Sequence, residues 1–165
     1  MILLGYLFTI LNYVCYCLSR FMKHKISMLL LNLVSKILMI FALYCFNSLS
    51  GAYMFFVIFI MLIVVNIKEY LNKQWTIGYI FFQIVYFAIL FYTYAGISSI
   101  LITITASISL FYNWWLPPQQ MRLLGGISDI IYLSYQISIK NWAGLLEIFA
   151  IISNFGAFIK YKKIK

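Results

Sequence analysis

Long apolar runs recur along this chain, separated by brief polar or proline-containing breaks, and the pattern predicts seven helical spans at residues 2–19, 26–46, 51–67, 75–94, 97–115, 120–139 and 142–159. Each is close to the ~20 residues that carry an α-helix across ~30 Å of hydrocarbon at ~1.5 Å per residue. The breaks fall at Arg20 with Lys23, His24 and Lys25, at 47–50, at 68–74, at Ala95-Gly96, at Pro117-Pro118 and at Lys140-Asn141. No gap has room for a separate soluble domain. The expected fold class is all-α integral membrane.

Composition strengthens this reading. Apolar residues make up 65% of the 165 and charged residues 9%, against roughly a quarter charged in a soluble domain. Three acidic and twelve basic residues cannot coat a soluble globule of this size, whereas a bilayer removes the need for such a coat. Cys15, Cys17 and Cys45 all lie in apolar runs without paired spacing, so they read as small buried hydrophobes. The run from Ile2 has no basic residues before it and no A-x-A site after it; it is expected to remain as the first helix and not to be cleaved.

Charge then orients the spans. With seven spans, one side collects Arg20, Lys23, Lys25, Lys68, Lys73, Arg122, Lys160, Lys162, Lys163 and Lys165, the other has Lys140 alone, and Lys36 lies within a span. Positive residues favour the cytoplasmic side, which places the carboxyl terminus inside and the amino terminus outside. Trp75, Trp114, Trp115 and Trp142 stand at span ends, where amphipathic rings prefer the interface. The wealth of Lys, Ile, Phe, Tyr and Asn fits an AT-rich bacterial genome, and so a bacterial cytoplasmic membrane.

A shift of 93 residues aligns Met28-Leu29-Leu30-Leu31 with Met121-Arg122-Leu123-Leu124, Ser35-Lys36-Ile37 with Ser128-Asp129-Ile130, and Gly51 with Gly144, giving eight identities over residues 28–67. The implied organisation is a three-helix bundle at 1–67, a linking transmembrane helix at 75–94, and a second, parallel three-helix bundle at 97–165 with a short basic tail. Parallel repeats about an axis along the membrane normal are a known transporter plan.

The 3+1+3 layout, with Pro118-Gln119 after the fifth span, resembles the SWEET sugar transporters, the PnuC-type vitamin transporters and other PQ-loop proteins. Across most of its length the chain also resembles the bacterial YgjV-type inner-membrane proteins. The residues that carry this second likeness are the basic turn before Met28, Gly51-Ala52-Tyr53, Met121-Arg122-Leu123-Leu124-Gly125, and Ala143-Gly144-Leu145-Leu146-Glu147-Ile148-Phe149 with Ser153-Asn154. The first likeness implies a transporter plan; the YgjV-type likeness implies the fold and topology, without a named activity. Departures are His24-Lys25 where a first Pro-Gln pair would fall, Asp129 in place of a small neutral residue, and Tyr135-Gln136 in place of Tyr-Asn.

Lys36 and Asp129 occupy one depth in repeat-equivalent helices. Intramembrane charge is costly and needs a partner, so the two are expected to pair across a central polar cavity; the alternative is a buried pair that only fixes helix register. Glu147 is expected about one turn from the outer face, reaching the interface or capping its own helix, with a gating or proton-accepting role as the alternative. Asn12, Gln83, Thr105, Tyr135, Gln136 and Asn154 complete the substrate-path candidates, and Pro117, Pro118 and Gln119 form the hinge candidate, because proline frees a backbone carbonyl and fixes its own φ. Arg122 is expected to anchor its helix end against lipid phosphate or the carboxyl ends of the fifth and seventh spans.

No catalytic constellation, metal-ligand spacing or cofactor motif is visible, so neither an enzyme nor a cofactor is expected. The basic groups are explained by topology and anionic lipid, with no nucleic-acid role. The expected partners are membrane lipid and a small molecule, with a second copy of the chain left open. The leading function is carriage of an uncharged or zwitterionic metabolite. Its rival is an accessory membrane protein for assembly, stress or immunity, acting through helix contacts.

Overall fold

The computed structural model describes residues 1–161; the tail residues Lys162, Lys163 and Lys165, counted above with the basic side, lie outside them. Among the described residues the chain forms α1 (Ile2–Arg20), α2 (Lys25–Cys45), α3 (Leu49–Tyr70), α4 (Thr76–Tyr92), α5 (Ile97–Trp115), α6 (Pro118–Ser138) and, after a 3₁₀ turn at Trp142–Leu146, α7 (Glu147–Tyr161). This is the all-α membrane fold of seven helices. Five of the spans are long and apolar enough to cross a membrane by length and composition; α4 is apolar but has 17 residues, the short end of the spanning range. The 21 residues of α6 are long enough but diluted by Gln119, Gln120, Arg122, Asp129 and Gln136.

Helix neighbours follow a closed order. α1 packs on α2, α2 on α3, α3 on α5, α5 on α6, α6 on α7, and α7 returns to α1, while α4 lies outside the ring against α3 and α5. The outer surface is apolar, with Ile77, Phe91 and Ile159 among its most exposed side chains, and the interior holds buried Thr9, Asn12, Arg20, Asn32, Asp129, Glu147 and Asn154. Polar groups inside and apolar groups outside is the arrangement lipid selects.

The 93-residue shift reappears in the backbone. It carries both ends of α2 onto both ends of α6, and the start of α3 onto Trp142. It also carries Asn47, at φ 54°, onto Lys140, at φ 56°. Both residues follow a helix end and close the same turn. Ser48 N–H donates to Leu43 O and Asn141 N–H to Gln136 O, each at 3.0 Å, the long-range bond of a left-handed helix cap.

Candidate functional site

A cavity of ≈ 30 Å³ sits at the centre of the ring, room for one or two waters. Every ring helix lines it: Asn12, Tyr13 and Tyr16 from α1, Lys36 from α2, Phe55 and Ile58 from α3, Thr105, Ser109 and Tyr112 from α5, Ser128, Asp129 and Tyr132 from α6, and Glu147 from α7. Helical periodicity explains the grouping. Thr9, Asn12, Tyr13, Tyr16 and Arg20 are spaced by three or four along α1 and form one buried face, as Gly125, Ser128, Asp129, Tyr132 and Gln136 do along α6. Three lining pairs are related by the repeat shift: Asn12 with Thr105, Tyr16 with Ser109, and Lys36 with Asp129.

Each buried carboxylate has a tyrosine from α1. Tyr13 donates its hydroxyl to Glu147 Oε2 at 2.6 Å, and Tyr16 donates to Asp129 Oδ1 at 2.9 Å. Asn154 Nδ2 donates to the second Asp129 oxygen at 2.6 Å. The Lys36 ammonium lies 4.8 Å from the Tyr16 ring centre and 5.1 Å from that of Phe55. These contacts correct the expected direct pair. The ion pairs among the described residues are Lys25 with Glu69 and Lys68 with Glu69; Lys36 and Asp129 face the same cavity and are joined through Tyr16, which presents its ring to one and its hydroxyl to the other.

Two more expectations are corrected. Glu147 is 2% exposed and lines the cavity, so it neither reaches the interface nor only caps α7. Arg122 is buried away from lipid and closes the end of α1 as well as meeting that of α7: Nε donates to Arg20 O at 3.0 Å and Nη2 to Met22 O at 2.7 Å, while the guanidinium carbon lies 4.5 Å from the Tyr161 ring centre.

The other candidates are distributed as follows. Asn12 and Thr105 line the cavity, and Asn12 Oδ1 is buried without a hydrogen-bond partner. Asn154 adjoins the cavity through Asp129. Gln83 donates to Ser107 Oγ at 2.8 Å in the α4–α5 seam, away from the cavity. Tyr135 pairs with Ser48 at 2.8 Å, and Gln136 accepts from Asn141 Nδ2 at 2.9 Å, both near the far end of α6. Pro117 precedes α6 in extended conformation and Pro118 opens it. Gln119 donates to Phe158 O at 2.5 Å, tying the start of α6 to the end of α7.

Beside the carboxylate donors Tyr13 and Tyr16, Arg20 is a residue of this region that the sequence does not single out. It falls with the basic loop in the sequence, yet it is fully buried, its guanidinium carbon lies 4.1 Å from the Tyr16 ring centre and 6.0 Å from that of Tyr112, and among the described residues its three side-chain nitrogens have no hydrogen-bond partner. The polar spacing of Asn12, Tyr16 and Arg20 along α1 was the available signal. The cavity is lined by one cation, Lys36, and two acids, Asp129 and Glu147, with a second cation, Arg20, behind Tyr16 and Tyr112. Among the described residues no group of His, Cys, Asp and Glu is arranged to hold a metal.

Comparison with protein-family models, with curated proteins and with solved structures found no match.

Proposed function

We propose that this multi-pass membrane protein is a carrier for a small zwitterionic or uncharged metabolite, bound at the central cavity. The observation that carries the reading is the convergence of all six ring helices, with both signs of charge, on one small central cavity. An accessory protein acting through helix contacts needs no such convergence. Lys36 shares the cavity lining with Asp129 and Glu147, so a zwitterion finds a group of opposite sign for each of its charges, and a buried charge without such a partner is costly.

At ≈ 30 Å³ the cavity has room for water and not for a metabolite, so on this reading the ring must open to admit one. The repeat supplies the motion: α1–α3 and α5–α7 rock about the cavity as two similar units, with α4 as the link and Pro117-Pro118 as the flexing point. Tyr16 and Tyr112, between the cavity and Arg20, form the layer that parts toward the basic face. That face is cytoplasmic on the positive-inside rule, in a bacterial inner membrane, and the likeness to the PQ-loop and YgjV-type proteins supports the same architecture.

The test is counterflow in proteoliposomes against a panel of amino acids, betaines, sugars and nucleosides. Accumulation of a neutral or zwitterionic solute is expected, and its loss in a folded Lys36→Met/Asp129→Asn protein. Absence of flux for every solute, with correctly folded and oriented protein, would remove the carrier reading.

A further inference from the structure

The basic face carries a second pocket, separate from the central cavity, of ≈ 650 Å³, within the size range of ligand sites. Its walls include Lys23, Lys25, Lys68 and Lys73 against a single acid, Glu69. Glu69 is already engaged, accepting from Lys25 at 2.8 Å and Lys68 at 3.1 Å. Lys23 and Lys73 are exposed and form no ion pair among the described residues.

Two helix starts open onto the same pocket. His24 precedes α2 and Pro117 precedes α6, and neither helix has a side-chain cap on its first turn. Each helix has 21 residues, so each contributes unpaired N–H groups and the positive end of a full macrodipole. Lysines and open helix starts together are a binding environment for phosphate.

An apolar crevice lies next to the pocket. Between α3 and α4 a groove of ≈ 650 Å³ is lined by Val57, Val64, Ile77, Gly78 and Val85 with neighbouring apolar side chains; Val57 and Val85 also border a further apolar recess of ≈ 340 Å³ toward Tyr53 and Tyr92. The two are neighbours along α3, where Val64 of the crevice stands one turn before Lys68 of the pocket, and at the start of α4, where Ile77 of the crevice follows Gln74 of the pocket by three residues; the Trp114 ring, packed on Gly78, stands between them. A free phosphate has no use for this crevice.

We propose that pocket and crevice together bind one anionic phospholipid, its phosphate among Lys23, Lys73 and the two helix starts and one acyl chain along the α3–α4 seam. The site is independent of carriage at the central cavity.

The test is native mass spectrometry of delipidated protein in mild detergent, titrated with phosphatidylglycerol, with phosphatidylcholine of the same chains, and with glycerol 3-phosphate as competitor. Phosphatidylglycerol should be retained selectively, and glycerol 3-phosphate at equal concentration should not displace it. Loss of two surface lysines in Lys23→Gln/Lys73→Gln should weaken retention about 30-fold. Filling the crevice with Val85→Trp, or with Ala88→Phe if that protein does not fold, should also reduce it. Equal retention of phosphatidylcholine, or unchanged retention in the lysine variant, would overturn the charged site. Displacement by glycerol 3-phosphate, or indifference to the crevice variants, would make it a site for soluble anions and overturn the lipid.

Discussion

Tyr16 on α1 donates to Asp129 on α6 across 2.9 Å, joining the two halves of the repeat at the rim of the central cavity. The tyrosine ring is also the surface on which two cations rest, with Lys36 4.8 Å and Arg20 4.1 Å from its centre. Ring and hydroxyl therefore have separable roles. Tyr16→Phe should keep the cation contacts and lose one hydrogen bond to a charged group, a change of ~1.5–3 kcal/mol. Tyr16→Leu should cost more, because the cations then lose the ring as well. Thermal unfolding in detergent ranks the two, and equal losses would contradict the division.

Lys36 and Asp129 interact through this tyrosine and not by direct contact, which sets the size of their coupling. Lys36→Met and Asp129→Asn should each destabilise the protein, and the double variant should recover part of the loss, with an interaction energy of roughly 0.5–3 kcal/mol, as for residues sharing one network. Simple addition of the two single losses would mean that the central charges do not sense each other. The same cycle in a Tyr16→Leu background should give a smaller coupling.

Hydropathy locates residues by depth, and so much of the fold was legible. The span expected at 26–46 is α2, Lys25–Cys45, and that expected at 97–115 is α5 with the same limits. It does not report which neighbour covers a helix end, and there the reading failed. Arg20 ends α1 and looked interfacial, but Tyr112 and Arg122 close over it. Glu147 was expected near the outer face, yet the five residues before it form a 3₁₀ turn. That turn covers about 10 Å instead of about 7.5 Å in an α-helix, carrying Glu147 deeper. Tyr13 and Tyr16 went unnoticed as carboxylate donors, because among fourteen tyrosines only the packing of α1 on α6 and α7 singles them out.

Topology follows from charge. A reporter fused after Lys165 should be active in the cytoplasm, and a cysteine at Asn47, an exposed left-handed turn, should react with an impermeant maleimide added to intact cells. A cysteine at Lys73 should react only after the membrane is permeabilised. The reverse pattern would invert the assignment of the basic face.

Gly51 and Tyr135 offer the most local test of how the two halves meet. Gly51 lies in the first turn of α3 and Tyr135 in the last turn of α6, whose hydroxyl pairs with Ser48 at 2.8 Å. A methyl group built on Gly51 would overlap that hydroxyl oxygen outright and stand 3.1 Å from the ring carbon bearing it. Gly51→Ala is therefore an overpacking substitution, expected to cost ~1–3 kcal/mol, even though alanine is the better helix former. The worst overlap is with that one oxygen atom, with Ser48 Oγ at 3.0 Å beside it, so Tyr135→Phe should relieve most of the clash. By itself Tyr135→Phe forfeits the Ser48 bond, about 1 kcal/mol. In combination, Gly51→Ala/Tyr135→Phe should be more stable than Gly51→Ala alone, with the oxygen gone and the helix-propensity gain retained. Thermal unfolding of the four proteins closes the cycle. If the double variant is no more stable than Gly51→Ala, the end of α6 does not meet the start of α3 in this register, and the ring contact between the two halves must be redrawn there.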